Sequence, residues 1–137
     1  MKKLLIDIGK KSKKAFSDKI STEKKNKVLK DYSQLIKQNK KLIIKENQKD
    51  IKKANLKKIK HNLIQRLILD DRKISNIIRA IQNIIKLKDP NDVTLERWKR
   101  PNGLSISKVS IPIGVIGVIY ESRPNVTCDV AALCFKS

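Results

Sequence analysis

Apolar residues recur at helical spacing through the first ninety residues, and the clearest stripe lies between Asp70 and Pro90. Within it an isoleucine returns every three or four positions, at Ile74, Ile77, Ile78, Ile81, Ile84 and Ile85. That spacing aligns the side chains on one helix face. Asp70 or Asp71 can cap the start of the helix, and Pro90 ends it. The pattern predicts an amphipathic helix that buries its isoleucine face.

Weaker stripes predict further helices on the amino-terminal side of this one. The second helix begins at a capping hydroxyl, Ser21 or Thr22. Its apolar positions follow one helix face, at Val28, Leu29, Tyr32, Leu35 and Ile36. A first helix precedes it within residues 4–20, a third carries apolar residues within 42–59, and a short apolar turn covers 63–68. The amino-terminal part is therefore predicted to be a helical region.

β-strand features replace the helical spacing after Pro90. Residues 93–100 are strand-like, and apolar and polar residues alternate over 104–108. Between them, Pro101-Asn102-Gly103 is a turn signal, because Asn and Gly tolerate positive φ. The pattern predicts a β-hairpin with one polar face.

A continuous apolar run follows Pro112. It covers residues 113–120 and is apolar on both faces, which is typical of a parallel strand covered by helices on both sides. A polar turn at 121–125 leads into a helix beginning near Val126. Strand, turn and helix form the first half of a βαβ unit, whose crossover needs a second strand. We therefore expect a piece of a longer α/β protein, the alternative being a natural short protein with a structural role.

The formal net charge of +20 raises the question of an anionic partner. Of the 33 basic residues only six are Arg, the residue that makes bidentate contacts to phosphate and guanine. The few aromatic residues do not interleave with the basic runs, so no base-stacking platform is indicated. Lys, Ile and Asn share A/T-rich codons, and compositional bias accounts for the excess of all three. Solvated helix faces with no specific nucleic-acid binding are favoured. The alternative is a small basic helical protein that binds nucleic acid or anionic surfaces.

The length of the apolar runs and the spacing of the two cysteines indicate the cellular compartment. The longest uncharged apolar run has ten residues, whereas a membrane span needs ~20, and Asp7 interrupts any signal-peptide core. No membrane association is expected. Cys128 and Cys134 lie six residues apart with no histidine nearby, which indicates neither a disulfide framework nor a metal site. We expect both to be buried small apolar residues in a cytoplasmic protein.

Three stretches closely resemble one family. The first runs from Trp98 to Leu104, the second from Ile111 to Thr127 and the third from Ala131 to Ser137. The most specific part is Tyr120-Glu121-Ser122-Arg123-Pro124-Asn125-Val126-Thr127. Together they resemble γ-glutamyl phosphate reductase, also called glutamate-5-semialdehyde dehydrogenase, of the aldehyde dehydrogenase superfamily. The resemblance covers essentially the whole chain but about the first third of the family's length.

The resemblance implies an α/β fold that is aldehyde dehydrogenase-like and truncated. It implies a helical region at 1–90, an oligomerisation-type β-hairpin at 91–111, and the start of a doubly wound NADP-binding domain at 112–137. It also implies NADPH-dependent reduction of L-glutamyl 5-phosphate to L-glutamate 5-semialdehyde and phosphate, in proline biosynthesis. The family's catalytic cysteine lies beyond residue 137, so this chain alone is expected to be inactive. A homo-oligomer is implied for the full-length enzyme.

Candidate site residues follow from the same resemblance. Asn125 corresponds to the superfamily's oxyanion-stabilising asparagine, the alternative being a residue that only shapes the turn after Pro124. Arg123 can grip the phosphate or carboxylate of the substrate, the alternative being a solvated arginine or one paired with Glu121. Tyr120, Glu121 and Ser122 are candidate cofactor contacts at the end of the predicted strand.

Three tempting features carry no function in this interpretation. Gly114 and Gly117 lie inside the predicted strand and do not form a phosphate-binding glycine loop. His61, the only histidine, has no acid or nucleophile at a recognisable spacing. Neither cysteine is the family's nucleophile. No metal site is predicted.

Overall fold

The computed structural model describes residues 2–121 and 123–137. Its elements, in chain order, are α1 (Lys2–Phe16), α2 (Thr22–Gln38), α3 (Lys40–Leu56), α4 (His61–Leu67), α5 (Asp71–Lys86), β1 (Thr94–Lys99), β2 (Ser105–Val109) and α6 (Pro124–Lys136). They divide into two compact units. The helical unit comprises Ser21–Leu87 and Val118–Lys136, and the hairpin unit comprises Met1–Ile20, Lys88–Gly117 and Ser137.

Helix α5 supplies the centre of the helical unit's core. In the isoleucine stripe predicted from the sequence, Ile78 and Ile85 are half-buried and the other four isoleucines are buried, with Ile81 fully inaccessible to solvent. It packs against α2 and α6, and the buried cluster consists of Leu29, Ile36, Ile74, Ile77, Ile81, Ile84 and Ala132. Burying one such side chain contributes roughly 1.5–3 kcal/mol. Hydrophobic burial along this one stripe thus holds three helices together.

Side-chain caps fix where two of these helices begin. The Oγ of Ser21 accepts a hydrogen bond from the backbone N–H of Lys24 at 3.3 Å. A carboxylate oxygen of Asp70 accepts one from the backbone N–H of Lys73 at 2.6 Å. Each cap satisfies an N–H that has no partner inside its helix. Of the paired candidates, the structure therefore selects Ser21 and Asp70.

Two buried polar side chains join the helices of this unit. Asn47 on α3 donates to the carbonyl of Leu67 at 2.9 Å and accepts from the N–H of Leu69 at 2.7 Å. Lys136, almost fully buried, donates to Asn26 Oδ1 at 2.5 Å and to the carbonyl of Ile85 at 3.4 Å. Hydrogen bonds from the Lys136 ammonium therefore connect the carboxyl end of α6 to α2 and α5.

The hairpin unit contains the predicted β-hairpin. β1 and β2 pair antiparallel, with Arg97 opposite Ser107 and one irregularity near Thr94. Gly103 adopts φ +84° in the connecting turn, a conformation that suits glycine. Every residue of β1 is exposed, and Ile106 alone of β2 is half-buried. The hairpin is confirmed, but both of its faces are open to solvent.

The predicted buried strand over 113–120 differs from the structure. Residues 110–120 form no regular element, and Ile113 and Ile119 are 93% and 102% exposed. A strand is defined by its hydrogen-bonded neighbour, and no described residue pairs with this segment. The helix that follows begins at Pro124, two residues before the predicted start. Proline suits the first helical position, because its missing N–H would have no partner there.

Candidate active site at the amino end of α6

The predicted site residues lie where the apolar segment, residues 113–120, leads into α6. Arg123 directly precedes the helix, and Asn125 lies in its first turn. The N–H of Val126 donates to the carbonyl of Arg123 at 3.1 Å, which closes that turn. Ser122, one of the predicted cofactor contacts, lies outside the described residues. The first-turn N–H groups make this end of α6 electropositive.

Asn125 is exposed, and its amide is oriented by the next turn of the helix. Its Nδ2 donates to an Asp129 carboxylate oxygen at 3.2 Å. Because a carboxylate can only accept, this contact defines which end of the amide is the donor. An amide nitrogen carries two hydrogens, so one N–H remains available to a ligand. The geometry is compatible with oxyanion stabilisation and with a purely local role in the turn.

Tyr120 and Arg123 differ in how they are held. The Tyr120 hydroxyl lies 2.6 Å from Thr127 Oγ1, which ties the end of the apolar segment to α6. The exposed Arg123 makes no ion pair with Glu121 or with any other described residue. The alternative in which these two side chains pair is therefore not realised. The Arg123 guanidinium is free to bind an anion.

A groove of about 340 Å³ lies beside Asn125, within the helical unit. Its apolar part comes from the α4–α5 connection and α5, through Ile68, Leu69, Ile77 and Ala80. Its polar side chains come from three helices and are Arg66, Lys73, Asn76, Asn125 and Asp129. The groove therefore combines two cations, two amides and one carboxylate with an apolar surface.

The two cations of the groove are held differently. Lys73 Nζ donates to the carbonyls of Ile68 at 2.7 Å and Gln65 at 3.3 Å, at the carboxyl end of α4. The half-buried ammonium keeps one further N–H. The Arg66 side chain is exposed, and its guanidinium makes no hydrogen bond or ion pair with another described residue. Its donors are available to a ligand.

Behind Asp129, a tyrosine and a cysteine pack between α2 and α6. Burial, followed by the hydrogen bond to Cys128 and the charge of Asp129, raises the pKa of the Tyr32 phenol. The phenol therefore keeps its proton to higher pH than usual and can donate a hydrogen bond. Cys128 is half-buried as part of this cluster, but Cys134 is exposed. The prediction that both cysteines are buried is wrong for Cys134, because residue 134 lies on a face of α6 that no described residue covers.

Sequence reasoning missed Arg66, Lys73 and Asp129. The i, i+4 spacing of Asn125 and Asp129 is a usable signal, since such residues face each other on a helix. Nothing local in the sequence associates Arg66 with Asn125, because the two residues lie on different helices, α4 and α6, and line one groove only in the folded unit. Among the described residues no group of potential ligands could hold a metal ion, and no helix could span a membrane.

Comparisons with known proteins decide the family. The chain is 42% identical over its whole length to a γ-glutamyl phosphate reductase from Thermodesulfovibrio yellowstonii, and 40% identical over its whole length to one from Clostridium tetani. The crystal structure of γ-glutamyl phosphate reductase from Thermotoga maritima matches 96% of the chain at 38% identity, with a TM-score of 0.90. The chain belongs to the γ-glutamyl phosphate reductase family.

The match to this family covers the chain more fully than it covers the relatives. The chain spans about a third of the curated relatives it matches, 33% and 32% for the two named above. The enzyme from Saccharomyces cerevisiae also has a TM-score of 0.90, with 30% identity over 96% of this chain and 34% of its own. No family model matches. The family resemblance drawn from residues 98–137 is thus confirmed, and the coverage is consistent with a piece of a longer reductase.

Proposed function

We propose that this chain forms part of an enzyme that reduces L-glutamyl 5-phosphate to L-glutamate 5-semialdehyde and phosphate in proline biosynthesis. The observation that carries the proposal is the identity of 40–42% over the entire chain with relatives named γ-glutamyl phosphate reductase. The chain contributes the amino end of α6 and the groove beside it. As the family resemblance implies, a cysteine thiolate on the remaining two-thirds attacks the acyl phosphate, and phosphate leaves.

Asn125 is proposed to stabilise the oxygen that gains negative charge during this attack. Its Nδ2 uses one hydrogen to bind Asp129, and the second can point to the substrate carbonyl. A fixed donor costs no reorganisation when the charge develops, which makes it effective in catalysis. Arg123, unpaired among the described residues, is proposed to bind the phosphate or carboxylate of the substrate through two parallel hydrogen bonds.

Tyr120, Glu121 and Ser122 are proposed to contact the cofactor, as residues near the start of a doubly wound domain that begins at residue 112. When bound, NADPH supplies the hydride that reduces the acyl carbon. The exposed Tyr120 and Glu121 beside the electropositive end of α6 fit the polar groups of a dinucleotide. Cytoplasmic location and a homo-oligomer that uses the exposed hairpin complete the proposal.

A chimera tests this function. Residues 1–137 replace the aligned residues of the Thermotoga maritima relative, and NADPH oxidation is measured with enzymatically generated glutamyl phosphate. We expect turnover by the chimera and none by residues 1–137 alone. The unaltered Thermotoga maritima protein is the positive control. A chimera that folds cooperatively but does not turn over glutamyl phosphate, or turnover by the isolated chain, contradicts the proposal.

A further inference from the structure

The groove beside Asn125 holds opposite charges on different helices. Arg66 comes from α4 and Lys73 from α5, whereas Asp129 comes from α6. Its volume of about 340 Å³ lies in the range of small-ligand pockets, roughly 300–1,000 Å³. Cations and a carboxylate around one small cavity match a ligand that itself carries both charges.

The unused hydrogen-bond donors and acceptors of these side chains also fit a ligand that carries both charges. Arg66 has no partner among the described residues, and a guanidinium matches a carboxylate with two parallel N–H donors. Lys73 has one N–H left after binding two carbonyls. Asp129 receives the Asn125 amide on one oxygen and can accept an ammonium N–H on the other. Donors for a carboxylate and an acceptor for an ammonium therefore line one groove.

We propose that this groove binds the α-amino-acid end of the substrate, and this inference rests on the proposed function. Arg66, supported by Lys73, binds the α-carboxylate, and Asp129 binds the α-ammonium. Asn125 lines the same groove and contacts Asp129 at 3.2 Å, so a glutamyl chain bound through Asp129 can reach the remaining Asn125 N–H with its γ-acyl oxygen. Arg66 and Asp129 thus select a zwitterionic amino acid over a simple dicarboxylate.

Three probes separate the two charge contacts. L-glutamate carries both α groups, glutarate lacks the ammonium, and 4-aminobutyrate lacks the α-carboxylate. Each is titrated into the ¹⁵N-labelled 137-residue chain, and amide shifts of residues lining the groove report binding. Because a hydrogen bond to a charged group contributes a tenfold or larger change in Kd, we expect L-glutamate to bind at least about tenfold more tightly than either analogue.

Variants assign each contact to a residue. Arg66→Gln should weaken L-glutamate and glutarate at least about tenfold and leave 4-aminobutyrate unchanged. Asp129→Asn should weaken L-glutamate and 4-aminobutyrate by a similar factor and leave glutarate unchanged. Arg72→Gln, at an exposed arginine of α5 outside the groove, is the matched control and should bind all three probes as the parent does. Unchanged amide dispersion shows that each variant is folded.

The outcomes distinguish this inference from the proposed function, since binding is read without turnover. Absence of shifts in the groove with L-glutamate overturns the inference, as does equal binding by the Arg66→Gln and Arg72→Gln variants. An active chimera together with either result leaves the proposed function standing. Selective loss in the variants together with an inactive chimera supports the groove as an amino-acid site and removes the reductase proposal.

Discussion

The helical unit and the hairpin unit each contain a helix with an apolar stripe, but the stripe is buried in the helical unit and exposed in the hairpin unit. In the helical unit, the stripe of α5 is enclosed by α2 and α6, and Ile81 is 0% exposed. In the hairpin unit, α1 carries an apolar stripe that includes Leu5 and Ile8, at 63% and 50% exposed. Both stripes have helical spacing, but among the described residues only the α5 stripe is enclosed by other helices of its own unit. An apolar stripe therefore predicts a helix, whereas burial and stability also require a facing element.

The largest expected effect separates a buried isoleucine from an exposed one. Ile81→Ala leaves a cavity in a packed core and should lower the free energy of unfolding by about 2–5 kcal/mol. Ile113→Ala, at a 93% exposed position, should change it by less than about 0.5 kcal/mol. Urea unfolding of the 137-residue chain, followed by circular dichroism, measures both. Equal effects of the two substitutions would show that residue 113 is buried in solution.

The next largest effect tests the two hydrogen bonds that Asn47 on α3 makes with the backbone of Leu67 and Leu69. Asn47→Ala removes the partners of the Leu67 carbonyl and the Leu69 N–H, leaving partly buried backbone groups unsatisfied. We expect a loss of about 1–3 kcal/mol in urea unfolding. Asn55→Ala, on the same helix with an exposed side chain, is the control and should cost much less. If both substitutions cost the same, the two hydrogen bonds of Asn47 do not stabilise the unit.

These contrasts also explain what the sequence could predict. The α5 stripe, the Ser21 and Asp70 caps and the hairpin turn at Gly103 are local signals, and each was recognisable. The segment around Ile113 and Ile119 also has a local strand signal, but a strand needs a paired neighbour, which is a non-local condition. The association of Arg66 with the groove is also non-local, because the groove forms only when residues from three helices come together. The sequence therefore does not predict it.

A smaller effect distinguishes the two candidate caps of α5. Asp70→Ala removes the acceptor for the Lys73 N–H and should destabilise the helical unit by roughly 1 kcal/mol. Asp71→Ala removes an ion pair with Lys40 in which the Asp71 carboxylate is 78% exposed, and should cost less, in the range of about 0–1 kcal/mol. Thermal unfolding at low and high salt tests this difference. A larger loss for Asp71→Ala would reverse the assignment of the cap.

The smallest expected effect concerns the charge of +20 shared by the two units. If the lysines are solvated surface, binding to labelled duplex or single strands should be weak and independent of sequence. Non-specific Kd values lie typically at ~10⁻⁴–10⁻⁶ M near physiological salt and rise steeply with added salt, because counterions are released on binding. Titration at two salt concentrations checks this. Tight, sequence-selective binding at physiological salt would favour the nucleic-acid alternative.

The most direct test of the account is the kcat of the chimera carrying Asn125→Ala. If the Asn125 amide stabilises the oxyanion, kcat should fall by roughly 10²–10³-fold with unfolding unchanged. Asn83→Ala, at an exposed asparagine of α5 outside the groove, should leave kcat at the parental value. A kcat for Asn125→Ala equal to that of Asn83→Ala would contradict the proposed oxyanion stabilisation and leave Asn125 with a role only in the turn.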